Sequence, residues 1–280
     1  MGVSLAKIEM EAPHLVQAFE LTRAVSLEKG LDPENSTAAV MATFDVSYSN
    51  ESGGNRNYSS GQMQRIGDLV LAAGFTFDDD GEVPFSYFSH DVRDKGSITP
   101  RESRGFVERT WASELKRSNG TRYLEALDWI VDTAGYSGVN LGRSNEPLRV
   151  RATAEYPAFA IFATDGEPND HEDRIKERLV RMSQLPIFVQ FVGVGEHDFD
   201  FLETLDEMGG RLIDNAHFFD AKKVLDKAPD AEKRRFFGLL KAKKQPSSSA
   251  DAQERVLNAM LHEFPQYYRK ARAIGLIATH

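Results

Sequence analysis

Two patterns of hydrophobic and polar positions alternate along the chain and predict its secondary structure. Short apolar runs bounded by polar turn residues are typical of buried strands, and apolar residues spaced three or four apart are typical of one helix face. The predicted strands cover residues 38–44, 83–89, 156–164, 186–195 and 216–219. The predicted helices cover residues 12–29, 60–75, 101–116, 122–133, a segment ending near 184, 198–208 and 251–275.

The regular alternation of strand and helix predicts an α/β fold. We expect a doubly wound, mostly parallel sheet with helices on both faces, because strands covered on both sides become continuously apolar. Only the strand at 83–89 lies near enough to its neighbour to suggest a hairpin, which predicts one short antiparallel edge.

The pattern divides the chain into four parts. An N-terminal helix within residues 1–37 is expected to pack on the main domain, residues 38–220. Residues 221–250 form a basic helical segment and a Ser-rich link, and a closing helix within 251–280 should pack back on the domain. Within this closing segment Pro265 should kink or split the helix.

The sequence leaves the role of two stretches undecided. Residues 135–155 are polar and glycine-bearing, which indicates an insertion or a long surface loop. Residues 221–244 carry nine Lys or Arg against three Asp or Glu, so this stretch is either a solvated face or a docking surface for an acidic partner.

Composition narrows the function classes. The chain has 280 residues, 41% of them hydrophobic and 28% charged, as in ordinary globular proteins. A formal net charge of −9 argues against nucleic-acid binding, and the absence of cysteine excludes disulfides and thiolate metal sites. No apolar run is long enough for a membrane span and no signal region is evident, so we expect a cytoplasmic protein without membrane contact, a monomer by itself.

Candidate metal-ligating residues lie mainly where predicted strands end. Asp45, Ser47 and Ser49 follow the first strand, Asp165 follows the strand at 156–164, and Thr121 precedes a helix, where it could equally be a local N-cap. Ligands in parallel sheets bind beyond the carboxyl ends of the strands. Hydroxyl and carboxylate oxygens suit Mg²⁺ or Mn²⁺, and such a cation relieves the repulsion between two close carboxylates. The histidines are scattered without a His-x-x-x-His pair, so none is singled out as a ligand.

These residues resemble a known motif. Asp45-Val46-Ser47-Tyr48-Ser49, Gly120-Thr121 and Thr164-Asp165-Gly166 are similar to the metal-ion-dependent adhesion site (MIDAS) of von Willebrand factor A (vWA) domains. The resemblance implies that Ser47, Ser49 and Thr121 bind Mg²⁺ (or Mn²⁺ or Ca²⁺), with Asp45 and Asp165 as direct or water-mediated ligands. It also implies an open coordination position that accepts an Asp or Glu side chain of a protein partner.

Other stretches resemble a narrower group, the vWA proteins of bacterial tellurite-resistance operons (TerF or TerY type), with copine A domains as more distant relatives. The stretches are residues 1–5, 77–81, 185–195, 210–216 and 263–265. The resemblance implies a role in tellurite resistance or a related stress or phage-defence response. A common form of the first motif has Gly where Tyr48 stands and Met where Asn50 stands.

The leading hypothesis is therefore a non-enzymatic, metal-dependent protein-binding module. One alternative is a scaffold or phage-encoded structural protein with an idle metal site. Another is a metal-dependent phosphohydrolase with Asp45 as nucleophile, although phosphatases of the haloacid-dehalogenase type need a second Asp where Ser47 stands, and no phosphate-binding loop is present.

Overall fold

A computed structural model describes residues 2–78, 80–116, 120–141, 148, 153–226 and 247–278. Six strands form one sheet in the order β3-β2-β1-β4-β5-β6, with β2 and β3 antiparallel and all other neighbours parallel. The strands are β1 Ala39–Asp45, β2 Val83–Phe88, β3 Val92–Ile98, β4 Ala158–Thr164, β5 Ile187–Gly193 and β6 Ala216–Asp220. This is the predicted doubly wound α/β fold with one antiparallel edge.

Helices cover both faces of the sheet. They are α1 Leu5–Glu11, α2 Val16–Glu28, α3 Gln62–Phe77, α4 Phe106–Leu115, α5 Tyr123–Val131, α6 Glu172–Met182, α7 Asp200–Glu207, α8 Ala221–Asp226, α9 Ser247–Met260 and α10 Phe264–Ala273. Alternate residues of β4 belong to two separate apolar clusters, one shared with α2, α3, α9 and α10 and the other with α5, α6 and α7. The central strands are therefore buried on both sides, which explains their continuous apolar sequence.

The antiparallel edge differs in detail from the prediction. The strand predicted at 83–89 is β2, and it runs parallel to β1; the antiparallel strand is β3, which the sequence pattern did not reveal. β3 contains Asp94, Lys95 and Gly96 and is exposed or half-buried at all positions but one, so it lacks an apolar signal. Charged residues on an edge strand discourage pairing with other chains.

Helix α1 was also not predicted. It begins after Ser4, whose Oγ accepts a hydrogen bond from the Lys7 amide at 3.3 Å. In α1 only Ile8 is buried, so the helix has no periodic apolar face to detect.

The C-terminal helix is split at Pro265, as expected. α9 ends at Met260, and α10 begins at Phe264 with Pro265 in its first turn, where a missing amide hydrogen costs nothing. The Phe264 ring stacks on Phe159 of β4 with centroids 4.2 Å apart. This contact anchors the helix pair α9–α10 in the core of the domain.

Several predicted segments extend beyond the described residues. The predicted link at 245–249 is helical from Ser247, and the basic segment is described only through α8. In the stretch at 135–155, a π-helical turn Asp132–Tyr136 continues α5, whereas residues 142–147 and 149–152 are outside the described part. The division into four parts stays a prediction. Within the described ranges, no helix is both long and apolar enough to cross a bilayer.

Candidate metal centre

Asp45 and Asp165 lie at the carboxyl ends of two adjacent strands, β1 and β4. β1 and β4 are adjacent parallel strands, and their register pairs Phe44 with Ala163, so the residues that follow emerge at the same edge. Asp45 is fully buried and Asp165 is 1% exposed. The carboxyl-end location expected from the sequence is therefore correct for both.

Asp45 is fixed from three directions. Its Oδ1 accepts the Ser47 amide at 2.7 Å and its Oδ2 accepts the Thr164 hydroxyl at 2.8 Å. Its main-chain carbonyl accepts the Tyr58 hydroxyl at 2.6 Å. Two of these hydrogen bonds orient the carboxylate, and the third holds the main chain of Asp45.

The two serines join the loop after β1 to Asp165. Ser47 Oγ and Ser49 Oγ are 2.9 Å apart, and Ser49 donates to Asp165 Oδ1 at 3.0 Å. The other oxygen of this carboxylate, Asp165 Oδ2, is buried and has no hydrogen-bond partner among the described residues. A buried carboxylate oxygen without a partner is costly, and a bound cation would satisfy it.

Asn50 orients Ser47, a role that sequence reasoning missed. The Asn50 side chain is fully buried, and its Nδ2 donates to Ser47 Oγ at 3.3 Å while its Oδ1 accepts from Asn57 Nδ2 at 3.0 Å. Its place directly after Ser49 was visible in the sequence, but the contact with Asn57 was not.

Thr121 is positioned by the loop after β4. Its amide donates to Asn169 Oδ1 at 2.6 Å, and its carbonyl accepts the Asn169 amide at 2.7 Å. The N-cap position of α5 is Arg122, and the Leu124 amide donates to Asp170 Oδ2, so Thr121 is not the local cap that was the alternative. Asn169 thus ties Thr121 to the loop that follows β4 and Asp165.

Tyr123 secures the same loop from α5. Its hydroxyl donates to the Gly166 carbonyl at 2.5 Å and lies 3.2 Å from Thr164 Oγ1, which in turn donates to Asp45. Neither Tyr123 nor Asn169 carried a sequence signal for this role.

Burial dominates the electrostatics of the site. It raises the pKa of Asp45 above its ordinary value, with Asp165 adding repulsion, and burial likewise raises the pKa of Asp165. A divalent cation would stabilise both carboxylates in their charged form.

The donor set fits a hard cation. It consists of the hydroxyls of Ser47, Ser49 and Thr121 and the carboxylates of Asp45 and Asp165, all oxygen donors of the kind that Mg²⁺, Mn²⁺ and Ca²⁺ prefer. The unpartnered Asp165 Oδ2 is where such an ion would be held. The ligand role of these five residues stays a prediction.

The rim of the site is accessible. Tyr48, between the two serines, is 69% exposed. On one side Asn55 Nδ2 lies 3.1 Å from the Ser49 carbonyl and 2.7 Å from His197 Nε2. The exposed ring of Tyr48 and the exposed imidazole of His197 therefore lie at the rim beside Ser47 and Ser49.

A family model and two relatives match this chain. The family model vWA-TerF-like, described as the vWA found in the TerF C terminus, matches residues 37–241. The uncharacterized protein YcbR of Bacillus subtilis is 26% identical over 229 residues, 79% of this chain and 74% of its own length. The E3 ubiquitin-protein ligase RGLG5 of Arabidopsis thaliana is 25% identical over 280 residues, 92% of this chain and 58% of the ligase.

Two solved structures align with this chain at low identity. Proximal thread matrix protein 1 from the mussel byssus, in a form with a zinc-occupied MIDAS motif, aligns with a TM-score of 0.43 and 14% identity over 69% of this chain. The PilB minor pilin of Streptococcus sanguinis, as a D319A mutant, aligns with a TM-score of 0.44 and 10% identity over 83% of this chain. The alignments span 46% of the mussel protein and 62% of the pilin.

Proposed function

This chain belongs to the vWA-TerF-like family, and on that premise we propose that it is a non-enzymatic, metal-dependent protein-binding module. The metal would be Mg²⁺, or Mn²⁺ or Ca²⁺, held by Ser47, Ser49 and Thr121 together with the carboxylates of Asp45 and Asp165. When bound, the ion supplies an open position that attracts an Asp or Glu side chain of a partner protein.

The observation that carries the proposal is the Asp165 carboxylate. One oxygen accepts from Ser49 at 3.0 Å and the other is buried without a partner among the described residues, next to a second buried carboxylate, Asp45. Two desolvated carboxylates repel each other, so the arrangement supports binding of a cation between them.

The same charges explain why partner binding should require the ion. The chain is acidic, with a net charge of −9, and the loops after β1 and β4 present carboxylates. Without a cation these groups would repel an acidic partner side chain, whereas a divalent ion reverses the local sign. We expect the exposed ring of Tyr48 to supply apolar contact beside the ion.

Metal binding by itself is the first test. We expect excess Mg²⁺ to raise the melting temperature relative to EDTA, because a ligand at 100 times its dissociation constant adds about 2.7 kcal/mol. For a chain of this size that corresponds to about 5–10 °C. Differential scanning calorimetry of the wild type in both buffers measures the shift.

Matched variants localise the effect. Ser49→Ala and Asp165→Asn should abolish the Mg²⁺ shift, whereas Ser59→Ala, on an exposed part of the same loop region, should retain it. An equal shift in all four proteins would refute the metal centre.

The partner chemistry needs its own test. Random peptides displayed on phage, bound in Mg²⁺ and eluted with EDTA, should enrich sequences with an Asp or Glu whose replacement by Asn or Gln removes binding. Binding that persists in EDTA would favour the alternative of a scaffold with an idle metal site.

The phosphohydrolase alternative has weaker support. Asp45 is fully buried, and both of its carboxylate oxygens already accept hydrogen bonds, from Ser47 and Thr164. A nucleophile must reach the phosphorus atom, and this carboxylate is not exposed to a substrate.

The cellular setting is part of the proposal and rests on the family alone. We propose a tellurite-resistance, stress-response or phage-defence role, in the cytoplasm, for a chain that is monomeric by itself. Deletion of the gene should sensitise its host to tellurite or to phage, and restoration with the Ser49→Ala form should fail where restoration with Ser59→Ala succeeds.

A further inference from the structure

A second group of metal-ligating side chains lies at the amino end of β6. Asp206 lies in the last turn of α7, His217 is the second residue of β6, and Glu263 directly precedes α10. Asp45 and Asp165, by contrast, lie at the carboxyl ends of β1 and β4. The group is therefore separate from the MIDAS-like residues.

The distances within this group suit a metal ion. His217 Nδ1 lies 3.2 Å from Asp206 Oδ2 and 3.6 Å from Glu263 Oε1, and one ligand atom from each residue lies within 4.8 Å of the others. Bonds of the length that zinc forms to nitrogen and oxygen place two ligand atoms of a tetrahedral ion roughly 3.3–3.6 Å apart. The two distances to His217 Nδ1 are close to that range.

The environment is partly dehydrated. The exposed fractions of the side chains are 13% for His217, 25% for Asp206 and 31% for Glu263. Burial raises the pKa of Glu263; His217 opposes this shift, and Asp206 adds to it. The partly buried carboxylates of Asp206 and Glu263 thus both lie beside the imidazole of His217.

The guanidinium of Arg211 lies beside the group, and its charge opposes the burial that raises the pKa of Glu263. Arg211 Nη2 lies 2.6 Å from the main-chain carbonyl of Asp206 and 2.8 Å from Asp214 Oδ1. A further imidazole, His262, precedes Glu263, and its ring centroid is 5.5 Å from that of His217.

We propose that Asp206, His217 and Glu263 form a second divalent-cation site, selective for a zinc-like ion, that clamps the C-terminal helix pair α9–α10 to the sheet. One nitrogen and two carboxylate oxygens are donors that zinc accepts, whereas the all-oxygen set around Asp165 suits a harder ion. The three ligands come from α7, β6 and the residue that precedes α10. A bound ion would therefore connect segments that are far apart in sequence.

The test uses the full chain with the first site silenced. In the Ser49→Ala, Asp165→Asn double variant, we titrate ZnCl₂ by calorimetry and Co²⁺ by visible absorption. We expect about one equivalent of Zn²⁺ to bind, and Co²⁺ to give the intense visible bands of a tetrahedral site. No Zn²⁺ heat from the folded double variant would overturn the proposal.

Added substitutions identify the ligands. In the same background, His217→Gln and Asp206→Asn should each weaken Zn²⁺ binding at least tenfold, and His90→Gln, at an exposed histidine, should leave it unchanged. Circular dichroism without metal checks that every variant is folded. Unchanged affinity in His217→Gln would overturn the proposal and leave His217 as an ion-pair partner of two carboxylates. The background lacks Ser49 and Asp165, so failure here is distinct from failure of the MIDAS-like site.

Discussion

Gly120 controls the position of Thr121 although it has no side chain. Its φ of +89° lies in the left-handed region, and a Cβ there would be 2.7 Å from Asn169 Oδ1. That same oxygen accepts the Thr121 amide. At this position glycine provides both the backbone conformation and the space for Asn169.

Gly120→Ala should therefore weaken metal binding as well as stability. We expect a loss of about 1–3 kcal/mol from backbone strain, together with a displaced Asn169 and a reduced Mg²⁺-dependent rise in melting temperature. Calorimetry with and without Mg²⁺ measures both effects.

Gly138→Ala is the matched control. Gly138 also has a positive φ, +78°, but a Cβ there would meet no atom within 4 Å. We expect Gly138→Ala to lose stability through backbone strain alone and to keep the full Mg²⁺-dependent rise in melting temperature. An identical loss of the Mg²⁺ effect in both variants would contradict the role of Asn169.

At the scale of elements, the C-terminal helix pair completes one face of the core. Phe264 contacts the rings of Phe77, Phe159 and Phe188, which come from α3, β4 and β5. Its side chain is fully buried. Residues late in the chain thus close an apolar layer begun by the central strands.

Phe264→Ala should destabilise the whole domain. A fully buried phenylalanine replaced by alanine costs about 3–5 kcal/mol, and we expect one cooperative urea transition at a lower midpoint. Ile274→Ala, at the exposed end of the same helix, should change the free energy of unfolding by less than about 0.5 kcal/mol. An unchanged main transition with early loss of α9 and α10 alone would show that the pair is a separate unit.

At the scale of the whole molecule, the chain buries several carboxyl groups. Burial raises the pKa of Asp68 to about 6 and that of Asp78 to about 7, and it raises the pKa of Asp45 and Asp165 in the same direction. These acids bind protons more tightly in the folded state than in the unfolded state. The free energy of unfolding therefore falls as pH rises from 3.8, the ordinary pKa of Asp, to the raised pKa values. Two partly buried histidines with lowered pKa values oppose this trend, His14 and His262.

We therefore expect the metal-free protein to be more stable at pH 5.5 than at pH 8. The gain should be on the order of 1–2 kcal/mol, after allowance for solvent screening at Asp78 and for the histidines. Urea unfolding in EDTA at both pH values measures it. Asp68→Asn removes one contribution and should show a smaller gain; an equal or lower stability at pH 5.5 in the wild type would contradict the expectation.

Local patterns were sufficient for much of this structure. The apolar runs of β1, β4 and β5 predicted buried parallel strands because a strand covered on both faces needs apolar residues at every position. The Asp45 and Asp165 motifs were found because each is a short local sequence at a strand end. Pro265 predicted the split of the last helix for an equally local reason, its missing amide hydrogen.

Tertiary structure alone decided the rest, because those features depend on contacts between residues far apart in sequence. Edge strand β3 is polar, and only its pairing with β2 makes it a strand. Asn169 became part of the site only when its loop met Thr121, 48 positions away. The grouping of Asp206, His217 and Glu263 likewise depends on tertiary contacts, which bring the residue before α10 to within 3.6 Å of His217 on β6, since a polar side chain in a sequence does not indicate which distant group it will face.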